Sequence, residues 1–163
     1  MGSPAVLLSI LLLASGGAAK QVSFDAGADF SAYRSYAWRE GAPARNPNMQ
    51  DRIEDFVEAQ LASKGLARVD AEPNLYVTTF ILPDEITLEE LARRNALEFW
   101  SGAILVSPAD VGAGTLVVDL VDARSGTVVW RGVASETVTG SFETMTRKVE
   151  SAVKKMFRRY PPE

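Results

Sequence analysis

The chain has 163 residues, 47% apolar and 23% charged, with a net charge of −4 and neither His nor Cys. These values fit one globular domain, and a chain of this size buries roughly 70% of its unfolded surface without disulfides or metal. The missing His and Cys exclude a Ser-His-Asp triad, a Cys-His dyad, zinc sites built from those ligands, and thiol redox chemistry.

Residues 4–14 form an apolar run, followed by Ser15, Gly16, Gly17, Ala18 and Ala19, and then by Lys20. A short apolar core ending in small residues is the pattern of a secretory signal. It falls short of the about 20 apolar residues that a membrane span requires. The pattern predicts a leader over 1–19 and one domain over 20–163, exported to the periplasm or outer envelope. No Cys follows the run, so the expected mature protein is not lipid-anchored through a lipobox cysteine.

Residues 22–24 and 33–38 alternate and are rich in aromatics, as half-buried strands are. The stretch 25–29 between them is turn material. Met49, Ile53, Phe56, Val57 and Leu61 share one helical face, which predicts a helix over about 48–64. Asn46 caps it, Pro47 takes its first position, and Gly65 ends it with Leu66 packing back. A strand follows over 74–81. In the segment 83–114, Thr87 and Glu90 match a capping box for a short helix to about Asn95, and 103–106 reads as a short strand. Residues 115–121 and 127–134 form the clearest hairpin, with Leu116, Val118 and Leu120 on the face of Val128 and Trp130. Phe142, Met145, Val149, Val153, Met156 and Phe157 mark a second amphipathic helix, ending before Tyr160-Pro161-Pro162. The expected fold is α+β: a largely antiparallel sheet of four to five strands with two main amphipathic helices on one face. Strand alternation predicts a one-sided sheet.

Several motifs occur in a fixed order. They are Val22-Ser-Phe-Asp25, the aromatic run from Asp29 to Trp38, Ala71-Glu-Pro-Asn-Leu75, Gly114-Thr-Leu-Val-Val-Asp119, the run from Gly126 through Trp130 to Gly132, and Met156-Phe-Arg-Arg-Tyr-Pro161. Their series resembles the bacterial envelope family called domain of unknown function 4136, over almost the whole of 22–162. The resemblance implies an exported, lipoprotein-like envelope protein. It implies no reaction and no catalytic residues. The chain departs from the family's many lipoproteins in lacking the lipobox cysteine.

Without His and Cys, carboxylates are the abundant acid-base groups. Asp51, Glu54, Asp55 and Glu58 recur at helical spacing on the first helix. They could form a cation site or a glycosidase-like pair, but charge runs on amphipathic helices ordinarily face water. Asp119 lies between Val118 and Leu120, and Arg131 lies on the partner strand. They read as a diagonal ion pair on the less buried sheet face, or as a ligand-facing carboxylate if that face forms a groove. Tyr36, Trp38, Tyr76, Trp100 and Trp130 could make a sugar or peptide platform, although Trp38 and Trp130 fit the core better. The adjacent pair Phe99-Trp100 falls in a loop context, where exposed aromatics are contact sites. From Ser141 onward the chain carries +3, against −7 for the rest. Lys154, Lys155, Arg158 and Arg159 lie opposite the apolar stripe of the last helix. They suit an anionic membrane surface or an acidic envelope partner.

The expected interaction surface is therefore Phe99, Trp100, Asp119, Arg131, Lys154, Lys155, Arg158 and Arg159. No catalytic, cofactor or metal residues are assigned, and nucleic acid is excluded as a partner. The function that fits is a non-catalytic interaction or accessory module of the envelope. The alternative is a binding protein for a small apolar or glycan ligand with 83–114 as lid. A carboxylate-based hydrolase fits least.

Overall fold

The computed structural model describes residues 20–41, 43–44, 46–83, 113–137 and 140–162. Strands β1 (Lys20–Phe24) and β2 (Ser35–Trp38) flank a 3-10 turn at Phe30–Ala32. Helix α1 (Pro47–Ser63), the two-residue strand β3 (Ala67–Arg68) and strand β4 (Leu75–Pro83) follow. Strands β5 (Ala113–Asp122) and β6 (Val128–Thr137) precede helix α2 (Phe142–Phe157). The expected helix over 87–95, the strand over 103–106 and the leader lie outside the described residues.

The six strands form one sheet in the order β1-β6-β5-β4-β2-β3. Four form an antiparallel run, β1-β6-β5-β4, while β2 pairs in parallel with β3 and β4. The fold is thus α+β with a mostly antiparallel sheet of six strands. The two parallel pairs arise because α1 is a crossover between β2 and β4, which a tight hairpin turn could not supply. Asn74 aligns that crossover. Its side-chain oxygen accepts from Arg34 N and Ser35 N at 2.9 and 3.1 Å, and from Ser35 Oγ at 3.1 Å.

Local sequence sets the helix ends. The Asn46 side chain accepts from Asn48 N, with Pro47 at the first position. Gly65 takes φ 82°, a region unfavourable to any residue with a Cβ, and Leu66 N returns to Leu61 O at 3.0 Å. Ser141 caps α2 by accepting from Thr144 N.

Both helices bury their apolar stripes on the same sheet face. Ile53, Val57 and Leu61 of α1 and Ala152, Val153, Met156 and Phe157 of α2 join Leu75, Val77, Leu116, Val118, Leu120 and Trp130 in one cluster. Trp130 is fully buried, with its ring 4.8 Å from Phe157 and 5.8 Å from Tyr160. The hairpin departs from the simple alternation at one point. Leu120 pairs with Trp130 but Val121 pairs with Val128, so Val129 is an extra residue in a bulge. Val129 is buried in the core and Val128 is only half-buried, the reverse of a regular alternation.

The opposite face is not the open one that a one-sided sheet implies. Phe80, Val117, Asp119, Val121 and Val133 are buried there too, outside the helix-packed cluster. The run from Val117 to Val121 is therefore buried on both sides.

Candidate functional site

The chemistry-bearing side chains fall into three places. The first is a polar row across the second sheet face. Thr78, Asp119 and Arg131 lie directly opposite one another on β4, β5 and β6. Arg131 Nε and Nη2 each donate to an Asp119 carboxylate oxygen at 2.7 Å, a two-pronged pair. The pair is direct and not diagonal, and Asp119 is 1% exposed, so it is a buried pair and not one on a less buried face. Burial pushes the Asp119 carboxyl above its usual range, against the pull of Arg131. Thr78 Oγ1 is buried beside it with no hydrogen-bond partner among the described residues.

The second place is the C-terminal end of α2. Lys154, Lys155, Arg158 and Arg159 are all exposed. Lys154 donates to Glu150 at 2.7 Å, and Arg147 to Glu143 one turn earlier at 2.9 Å. Such exposed pairs contribute at most about 1 kcal/mol each. Arg158 and Arg159 form no ion pair among the described residues. This end of the helix adjoins an aromatic chain that links Tyr160 to Phe30 at 5.7 Å and Phe30 to Phe24 at 6.4 Å. Phe24 is 42% exposed, one of two large apolar side chains so exposed among the described residues. Its exposure at a strand end could have been suspected from the neighbouring turn, but not its approach to α2.

The third place is a cleft between the end of β2, α1 and β4, of about 240 Å³. Its lining includes Trp38, Arg39, Glu40, Gln50, Glu54 and Thr79. Gln50 is held from three sides: it accepts from Ala44 N at 2.9 Å and donates to Glu54 at 2.9 Å and Thr79 Oγ1 at 3.2 Å. Trp38 is half-buried and only partly in the core. Its indole N–H donates to Glu58 Oε1 at 2.7 Å, and the same oxygen accepts from Arg68 Nη1 at 2.7 Å. Gly41 passes so close to β4 that a Cβ there would lie 2.2 Å from Thr79 O.

The carboxylates of α1 thus divide. Asp51 and Asp55 are exposed, as a solvated face requires, whereas Glu54 and Glu58 are half-buried in hydrogen bonds. Among the described residues, no group of three or more acidic side chains is placed to hold a metal ion. No described helix is long and apolar enough to cross a membrane. Phe99 and Trp100 lie outside the described residues. The structure does not bring Asp119 and Arg131 together with the four cations of α2, because the pair lies on the sheet face opposite to the helix.

Three solved structures share this fold. A DUF4136 family protein from Bacteroides thetaiotaomicron matches at TM-score 0.63 and 13% identity, over 88% of this chain and 96% of that one. A PDZ domain protein from Parabacteroides distasonis matches at TM-score 0.61 and 18% identity, over 90% of this chain, which spans only 36% of that protein's length. PelC from Paraburkholderia phytofirmans, solved as a dodecamer, matches at TM-score 0.52 and 11% identity, over 86% of this chain and 94% of that one. No curated protein sequence matches. The family model described as Domain of unknown function (DUF4136) matches residues 20–162, which is nearly all of the described fold, and the chain belongs to that family.

Proposed function

We propose that the protein is a non-catalytic interaction module of the bacterial envelope, docking on an anionic surface through the C-terminal end of α2. One observation carries this reading: four exposed cations, Lys154, Lys155, Arg158 and Arg159, stand at the helix end from which Tyr160 connects through Phe30 to the exposed ring of Phe24. Cations draw the surface to an anionic layer and an aromatic ring suits its interface. The buried carboxylate supports the non-catalytic part. Asp119 is engaged on both oxygens by Arg131 and is not offered to solvent as an acid or base. Family membership and the leader-like segment support the envelope location.

Flotation with phosphatidylglycerol vesicles tests this, with phosphatidylcholine vesicles as control. The full chain should float with the anionic vesicles only, and less so at high salt. The variant Arg158→Glu/Arg159→Glu should stay in solution. Equal flotation with both lipids, or an unaffected variant, overturns the membrane reading. The fold likeness to PelC favours a second reading, self-assembly of copies, which sedimentation of the full chain distinguishes.

A further inference from the structure

The cleft between β2, α1 and β4 is separate from the cationic end of α2, and its chemistry differs. Its volume, about 240 Å³, suits a single ring and not an extended chain. One wall is the half-buried Trp38, whose indole N–H is already committed to Glu58. Trp38 therefore offers the cleft an apolar ring and no donor. Gln50 is equally committed, with its oxygen and both of its donated bonds taken by Ala44, Glu54 and Thr79. These bonds fix the back of the cleft before any ligand arrives. Arg39 also lines the cleft, with its guanidinium stacked 3.7 Å over the Tyr76 ring, and two carboxylates keep accepting capacity. Glu40 is exposed at the mouth, and Glu54 has one oxygen bonded to Gln50 and a second with no partner among the described residues. Carboxylates only accept, so a ligand must bring donors. An aromatic wall with two accepting carboxylates and one guanidinium on its rim suits a ring with an apolar face and an edge of O–H or N–H groups.

We propose that this cleft binds one pyranose ring, with the sugar's C–H face against Trp38 and its donor edge on Glu40 and Glu54. Gly41 keeps the floor open, since its chain approaches Thr79 O too closely for any side chain there. The two carboxylates outweigh the single Arg39 guanidinium, so the lining carries a net negative charge that opposes an anionic sugar. A neutral sugar and an amino sugar present the same donor edge, and the amino sugar adds an attraction that salt weakens.

Titration of the full chain, followed by proton–nitrogen correlation NMR, tests the site. The probes are glucose, glucosamine and glucose 6-phosphate. The Trp38 indole and Gln50 side-chain amide resonances should shift saturably with glucose or glucosamine, and not with glucose 6-phosphate. If glucosamine binds more tightly and loses that advantage at high salt, the ligand is an amino sugar. If the two bind equally, it is a neutral one. The variant Glu40→Gln/Glu54→Gln, at an exposed and a half-buried position, should bind about tenfold more weakly, as expected for two lost charge-assisted bonds. Trp38→Leu should abolish binding. Should that variant fail to fold, the glutamine variant alone decides. Absence of saturable shifts with either sugar, equal binding of the phosphate, or unchanged affinity in the glutamine variant overturns the proposal.

Discussion

The two faces of the sheet are both buried at their centre, but they are stabilised differently. On the helix side, Trp130, Leu120, Val118 and Val77 meet the stripes of α1 and α2, and the stabilisation scales with apolar area. On the other side, Phe80, Val117, Val121 and Val133 surround a row of polar groups, Thr78, Asp119 and Arg131. A buried ion pair gives little net stability, because desolvation offsets its attraction. It can instead specify register. A one-residue slip of β5 would turn Asp119 toward the positions now held by Val118 and Leu120, in the helix-packed core. The apolar face supplies cohesion and the polar row penalises misalignment.

The largest test of this contrast is Trp130→Ala. It should lower stability by about 3–5 kcal/mol in chemical denaturation, as large aromatic truncations in cores do. A loss below about 1 kcal/mol would move the cohesive centre away from the helix side. Next comes the ion pair. Asp119→Ala leaves Arg131 without its buried carboxylate and should cost about 3 kcal/mol. Replacing both, as Asp119→Val with Arg131→Met, should return stability to within about 1 kcal/mol of the parent. If the double variant is as unstable as the single one, the pair is cohesive and the contrast fails. A smaller effect of opposite sign is expected at Thr78. Thr78→Val removes a buried hydroxyl with no partner among the described residues, so the thermal midpoint should rise, by an amount equivalent to about 1 kcal/mol.

The smallest effect is one of pH. Burial pushes the Tyr160 hydroxyl from 10.0 up to about 12. The folded state thus holds this proton more tightly than the unfolded chain. Its contribution is fully present below pH 10.0 and is lost as pH rises toward 12. Tyr33 shifts the same way, first by burial and then by its hydrogen bond to Asp122. Denaturation midpoints recorded between these pH values should fall, and Tyr160→Phe should flatten part of the fall.

Much of the helix side was legible in the sequence. The three- and four-residue spacings of Ile53, Val57 and Leu61, and of Val149, Val153 and Met156, place both stripes, and Asn46, Pro47 and Gly65 mark the ends of α1. The burial of Trp130 was legible from its place in the hairpin. The second face was not. Its residues alternate with core residues on the same strands, and alternation alone cannot say whether a face is covered. The bulge at Val129 was hidden for a related reason, since one extra residue leaves no local mark in a run of valines. The two-residue β3 and the parallel pairing of β2 depend on Asn74 meeting Arg34 and Ser35, 39 or 40 residues away in sequence. The candidate cleft was hardest to see. Glu54 and Glu58 belong to a charge run that reads as solvent-facing, and only the fold brings Trp38 to Glu58 and Thr79 to Gln50.

The position of β1 has a consequence for the order in which the molecule assembles. Among the described strands its sheet partner is β6 alone, with Lys20 opposite Ala134 and Phe24 opposite Trp130. Synthesis yields β1 before any other described strand, yet its partner β6 is not there to receive it until the chain has passed residue 134. The β5–β6 hairpin closes over a short turn and can form early, whereas closing β1 onto it joins distant parts of the chain and costs more entropy. Until then β1 is an unsatisfied edge able to pair with a neighbouring chain. The growing polypeptide therefore passes through a stage in which its first strand must be kept from other molecules, and docking of that strand completes the described sheet.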